Sequence, residues 1–233
     1  YSAGLFRTDA EAAIADCLDR NTIPVVVGGT GFYIQALTHG LSPIPPIPAH
    51  VTEELRHEIE ESGPLALYGK LNEIDSDAAS GIDSNDSQRI VRALSVYEHT
   101  GRKLSDWWKE SPPPPRFQYR LIGVERPRAE LRERIRLRVD EMLRAGLEDE
   151  VRELVDSGLG WDTAAMKTLG YREWRPYFDG EASQDDVRET ISTHTAQYAK
   201  RQMTWFRRIT EIEWISADAP DSRDYVRRVI EKA

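Results

Sequence analysis

The chain has 233 residues, 39% of them hydrophobic and 30% charged, with 15 Gly, 13 Pro and one Cys; that is enough for one large or two modest globular domains, and it excludes disorder, collagen and a fibrous repeat for the whole. Its longest apolar run lies within Ile23 to Val27, far short of the roughly 20 residues of a membrane helix, and one cysteine with five scattered histidines supplies neither an internal disulfide nor a zinc spacing. A reducing, cytoplasmic setting without a membrane is therefore expected, and the formal net charge of -9 argues for a solvated enzyme rather than a nucleic-acid protein.

Taken in order, Arg7 to Arg20 reads as a helix with Ala10, Ala13, Ile14, Cys17 and Leu18 on one face. Ile23 to Val27 is short, mostly β-branched and bounded by Gly28-Gly29, the pattern of a buried parallel strand. After Gly28-Gly29-Thr30-Gly31 the segment Phe32 to Leu37 resumes as a helix, giving the strand, glycine turn and helix of a nucleotide-type α/β unit. Prolines within Leu41 to Pro48 then impose an extended linker. Short helices are predicted over Val51–Ser62, Pro64–Glu73, Asp75–Ile82 and Asp86–Thr100, the last stopped by Gly101, before Ser111 to Pro115 forms a second stiff spacer. Phe117 to Val124 reads as a strand, and Pro127 opens a long helix ending at Gly146, with Leu131, Ile135, Val139, Met142 and Leu143 as its apolar stripe. Helices at Glu148–Asp156, around Met166–Tyr177 and over Gln184–Arg208 lead to a final strand at Glu213–Ser216. The sum is an α/β core with a small all-helical insertion.

Charge is unevenly spread along these elements. From Thr52 to Asp86 ten carboxylates meet only Arg56 and Lys70. From Arg126 to Arg138 six arginines meet only Glu130 and Glu133, and Lys200, Arg201, Arg207 and Arg208 form a second basic group. Such local fields can draw a polyanion to an acidic protein, although solvated helix faces explain them equally.

Several short constellations carry candidate chemistry. The Gly28 to Gly31 turn places free backbone N–H groups and the Thr30 hydroxyl at a helix start, which suits a phosphate or a base edge, and equally suits any tight turn. Asn85 followed by Gln88 has the spacing of a capping box, which leaves Arg89 and Arg92 unexplained on one side of the helix. Arg134 and Arg138, four apart, are placed to converge on one anion as a guanidinium fork. Thr195 to Arg208 interleaves basic residues with Tyr198, Trp205 and Phe206, a pattern of RNA-binding surfaces and also of a packed core. The acidic pairs Asp75/Asp77 and Asp185/Asp186 read as helix starts, and the five histidines as surface residues.

Six stretches occur in an order that resembles the tRNA dimethylallyltransferase family, also called tRNA isopentenyltransferases. They are Tyr1 to Gly4, Ile23 to Tyr33, Asn85 to Leu94, Arg134 to Leu143, Leu169 to Glu173 and Gln197 to Phe206. The resemblance implies a P-loop NTPase-like parallel-sheet core (residues 1–44 and 116–233) interrupted by a helical domain (45–115) that touches the anticodon loop. It implies transfer of the dimethylallyl group from dimethylallyl diphosphate to N6 of adenosine 37 beside the tRNA anticodon, with Mg2+ as cofactor, in a cytoplasmic monomer. By resemblance Thr30 contacts the target adenosine and Arg138 holds the diphosphate. The tRNA contacts implied are Arg56, then Gln88, Arg89, Ile90, Val91 and Arg92, and then Thr168, Leu169, Gly170, Tyr171, Arg172 and Glu173.

Two departures accompany it. Ala196 stands where the family usually has a basic residue, and no G-x-x-x-x-G-K-S/T pattern occurs. The family's phosphate loop, first strand and general-base aspartate are expected ahead of Tyr1, so these 233 residues by themselves are expected to be inactive. Competing expectations are an adenylate isopentenyltransferase acting on free nucleotides, a non-catalytic RNA-binding module and a different P-loop kinase.

Overall fold

The structure, a computed structural model, describes residues 1–231. Its chain divides into two compact units, one of residues 1–20 and 32–118, the other of 21–31 and 119–233. The two N-terminal helices cluster with the helical unit.

The first unit is all helix. Ser2 caps α1 (Ala3–Asp19) by accepting from the Leu5 N–H, and Phe6 of α1 stacks on Tyr33 of α2 (Gly31–Thr38) at 4.8 Å. Then come α3 (Ala49–Ser62), α4 (Pro64–Ile74), α5 (Ser76–Ser80), α6 (Ser87–Thr100) and a short α7 (Leu104–Trp108) that periodicity did not reveal. One core joins them: Leu55 of α3, Leu67 and Leu71 of α4, Ala78 and Ala79 of α5, and Ile90, Leu94 and Val96 of α6, with Ile44 and Ile47 of the proline-rich linker packed against it. Asp75 is 2% exposed. Its carboxylate accepts from the N–H of Ala78, capping α5, and from the N–H of Ser105 in α7. Burial opposes its charge, yet these hydrogen bonds hold its pKa below the ordinary value.

The second unit carries the sheet. β1 (Ile122–Glu125) and β2 (Glu213–Ser216) pair in parallel, Ile122 against Glu213 and Glu125 against Ser216. A helical crossover joins them, as parallel pairing demands. It comprises α8 (Arg128–Arg144), α9 (Leu147–Asp156), a 3₁₀ turn at Arg172–Trp174, α10 (Arg175–Phe178) and α11 (Gln184–Phe206); α12 (Ser222–Glu231), absent from the sequence reading, follows β2. Gly146 at φ 96° separates α8 from α9. The core packs Ile135 and Val139 of α8, Val151 of α9, Met166, Trp174, and Val187 and Ile191 of α11. Both carboxylate oxygens of Glu213 accept from Arg120 at 2.9 and 3.1 Å and Tyr225 also donates to it, which holds its pKa down to about 2.

Two sequence expectations need correction here. Ile23 to Val27 forms no strand and joins no ladder, with Val25 60% and Val27 90% exposed. A β-branched run supplies only propensity, whereas a ladder and a covering layer must come from neighbours. Among the described residues no strand lies beside it. The α6 cap is Asp86, whose side chain accepts from the Arg89 N–H at 3.1 Å, while the Asn85 N–H donates to Asp83. The Asn85/Gln88 capping box therefore does not form. Among the described residues no helix is long and apolar enough to cross a membrane.

Candidate functional site

The glycine turn owes its shape to α11. The Gln202 side-chain amide donates to the Gly29 carbonyl at 2.8 Å. One turn on, the Trp205 indole lies so close to Gly31 that a Cβ there would sit 2.2 Å from its Cδ1. Gln202 and Trp205, three apart, share a helix face and hold the residues on either side of Thr30, leaving Thr30 itself exposed. In the mixed basic and aromatic stretch, Trp205 thus serves as packing, whereas Tyr198 is 40% exposed with the Arg201 guanidinium 5.7 Å from its ring.

On α8 one of the two arginines expected to form a fork is ion-paired within its own helix. Arg134 donates through Nε to Glu130 at 2.9 Å, and Arg126 pairs with Glu130 and Asp218. Arg138 is exposed and, among the described residues, has no carboxylate partner. α8 runs antiparallel to α11, as two ion pairs record: Asp140 near its end meets Arg188 near the start of α11, and Glu125 just before it meets Arg207 just after α11 at 3.8 Å. Thr30 and Arg138 therefore belong to the same unit, one held by α11 and the other on the helix packed against it.

The segment Thr168 to Glu173 also belongs to this unit. Thr168 and Arg172 are exposed and Leu169 is half-buried. The Tyr171 hydroxyl donates to Glu150, which raises its pKa above the ordinary tyrosine value. Gly170 is buried, and the Glu173 side chain is only 1% exposed. Glu173 accepts from the Gly170 N–H, Arg172 Nε and His194 Nδ1 at 2.8, 2.7 and 2.7 Å. His194 is thus a half-buried partner rather than the surface histidine expected. Only its distance in sequence from Glu173 hid the pair.

In the helical unit, Arg56 is exposed beside buried Leu55. Along α6, Gln88, Arg89 and Arg92 face solvent, whereas Ile90 and Val91, 0% and 4% exposed, face the core. Arg89 pairs with Asp86 at 3.2 Å. Arg92 has no carboxylate partner among the described residues, and partial desolvation lowers its pKa. The helix period separates the three polar members of this segment from the two apolar ones. No group of His, Cys, Asp or Glu able to hold a metal ion occurs among the described residues.

Fold and site together define the class: a mostly helical α/β protein with a small parallel sheet, bearing exposed arginines free of carboxylates in both units. The chain belongs to the IPP transferase family, whose model matches residues 1–209. It is 39% identical over 227 residues to the tRNA dimethylallyltransferase of Salinibacter ruber, covering 97% of this chain and 70% of that protein. To that of Thermotoga maritima it is 41% identical over 221 residues, covering 95% and 72%. Among solved structures, the tRNA isopentenylpyrophosphate transferase of Bacillus halodurans superposes with a TM-score of 0.65 at 30% identity, covering all of this chain and 72% of that one. A eukaryotic dimethylallyltransferase acting on tRNA superposes with a TM-score of 0.77 at 26% identity, covering 98% and 60%.

Proposed function

We propose that the protein transfers the dimethylallyl group of dimethylallyl diphosphate to N6 of adenosine 37, beside the anticodon of tRNA. The observation that carries this reading is the 39% identity, over 97% of the chain, to a tRNA dimethylallyltransferase. In the reaction a bond forms between N6 and the allylic carbon, the bond from that carbon to the diphosphate oxygen breaks, and N6 gives up a proton to a general base, a role the family resemblance assigns to an aspartate. Stacked in the loop, N6 is out of reach, so the adenosine leaves the stack first.

Thr30 is assigned the base: its hydroxyl sits in a turn pinned on both sides by Gln202 and Trp205, which orients a hydrogen bond without reorganisation. Arg138 is assigned the departing diphosphate, because its whole guanidinium is free of carboxylates among the described residues, whereas Arg134 already shares its Nε with Glu130. Arg56, Gln88, Arg89 and Arg92 are assigned to RNA on the helical unit, and Thr168 to Arg172 on the other. Ile90, Val91 and Glu173 support those segments from within. Mg2+ is proposed to arrive with the diphosphate; the described side chains offer no cluster that fits it, and it takes no part in these steps. The parallel β1–β2 pairing and its helical crossover support a P-loop-type core. A cytoplasmic monomer completes the reading.

The test is to incubate the protein at its full natural length with dimethylallyl diphosphate and either an anticodon stem-loop bearing adenosine 37 or AMP, and to weigh the products. Gain of one dimethylallyl group on N6 of the stem-loop is expected. Preferential labelling of AMP, or tight stem-loop binding that ignores the diphosphate, would overturn the assignment.

A further inference from the structure

A carboxylate with almost no solvent contact is costly unless its lone pairs are used. Those of Glu173 are. Oε2 takes the N–H of Gly170, a residue at φ +102°, while Oε1 takes Arg172 Nε and His194 Nδ1. Burial opposes the charge, but these donors pull the pKa below the ordinary glutamate value. One anion thereby ties the 3₁₀ turn, the loop before it and α11 together.

What the anion leaves free is more informative. Arg172 spends only Nε, so both terminal guanidinium nitrogens remain unengaged, and its side chain is 47% exposed. His194 spends Nδ1, so Nε2 is its remaining ring nitrogen, and its side chain is 36% exposed. Both residues line a recess of about 290 Å3, whose other walls include Pro176, Val187 and Thr190. Asp186 also borders it, but one of its oxygens is held by the Ser183 N–H and hydroxyl at 2.9 and 2.6 Å. The unspent groups at this rim are therefore the guanidinium and imidazole nitrogens, arranged by one buried acid, and the second Asp186 oxygen.

We propose that Glu173 is a positioning residue that aims Arg172 and His194 at a phosphate of the substrate RNA seated at this recess. The inference rests on the tRNA reading of the function and deepens it: Glu173 touches no RNA, and His194 becomes a contact. A guanidinium held through Nε presents its terminal nitrogens in a fixed plane, the geometry that phosphate accepts.

The experiment measures stem-loop affinity at several salt concentrations, together with melting temperature and steady-state kinetics, for Glu173→Gln, Arg172→Gln, His194→Ala and His194→Asn. Loss of one phosphate contact to single-stranded RNA lowers the slope of log K against log salt by about 0.7. Glu173→Gln is expected to lower the slope by that amount although it removes no cation, to weaken RNA binding about tenfold, and to leave the KM for dimethylallyl diphosphate unchanged. Arg172→Gln should match it, and the double variant should lose no more than either alone. His194→Asn, which retains a donor near Nδ1, should restore the slope that His194→Ala loses without restoring full affinity.

An unchanged slope and affinity in folded Glu173→Gln and His194→Ala would overturn the proposal, as would losses that merely track melting temperature. Where Glu173→Gln does not fold, the half-exposed His194 variants decide. Altered binding with no prenyl transfer by the parent protein at its full natural length would sink the reaction but not this inference; normal transfer with unaltered binding would sink this inference alone.

Discussion

The two units solve the problem of charge in opposite ways. In the helical unit the buried acid, Asp75, is spent on structure, since both its oxygens cap backbone N–H groups of α5 and α7. In the sheet-bearing unit the buried acid, Glu173, gives one oxygen to the backbone N–H of Gly170 and the other to side chains that themselves reach solvent. One carboxylate closes a fold and the other arranges donors at a surface. The wider distribution agrees: the helical unit has a continuous aliphatic core, whereas α8 carries arginines both committed and free. The contrast places tolerance for chemistry in one unit and stability in the other.

The sharpest way to break that contrast is Arg138→Ala. If Arg138 grips the departing diphosphate, turnover should fall by roughly 10²–10³-fold, as when a preorganised transition-state donor is removed, with stem-loop affinity and melting temperature nearly unchanged. Equal turnover in the variant, measured under single-turnover conditions, would remove Arg138 from the site. Leu94→Ala should do the reverse. Leu94 is fully buried in the helical core, and such truncations cost about 2–5 kcal/mol. Denaturant unfolding should show that loss, while any folded molecules retain normal turnover.

A smaller effect sharpens the role of Asp75. Its pKa is depressed in the folded state, so its contribution is fully present above the unfolded value of about 3.9 and is lost as pH falls through the lower folded value. Asp75→Asn should cost about 1–3 kcal/mol at pH 7 and should remove part of the acid sensitivity of the parent protein. Melting curves at pH 7 and pH 3 check this. A variant with the same pH dependence as the parent would show that other carboxylates dominate.

Much of the helical unit was legible because its signals are local. α3, α4 and α6 lie close to their expected bounds, and Gly101 ends α6 at φ 67°. β2 falls where alternation and its flanks placed it. The α6 cap was misplaced by one residue, because Asn85 and Asp86 are both good caps and only the path of the turn chooses between them. Ile23 to Val27 shows the opposite failure, a strong local signal with no partner strand to satisfy it. At the site, Thr30 and Arg138 could be nominated from pattern. The long-range contacts around the site could not: Gln202, which holds the turn before Thr30, lies 173 residues from Gly29, and His194 lies 21 from its partner Glu173. Nothing in a local window encodes those pairings.

The parallel pairing of β1 with β2 has a consequence for biosynthesis. Arg120 and Glu213, which lie at the edge of that sheet, are 93 residues apart in sequence. A chain emerging from the ribosome can assemble the neighbouring helices of the first unit as they appear, but β1 at Ile122 must wait until Glu213 before its partner arrives. During that interval its edge is unpaired, and this is the stage at which a chaperone would matter most.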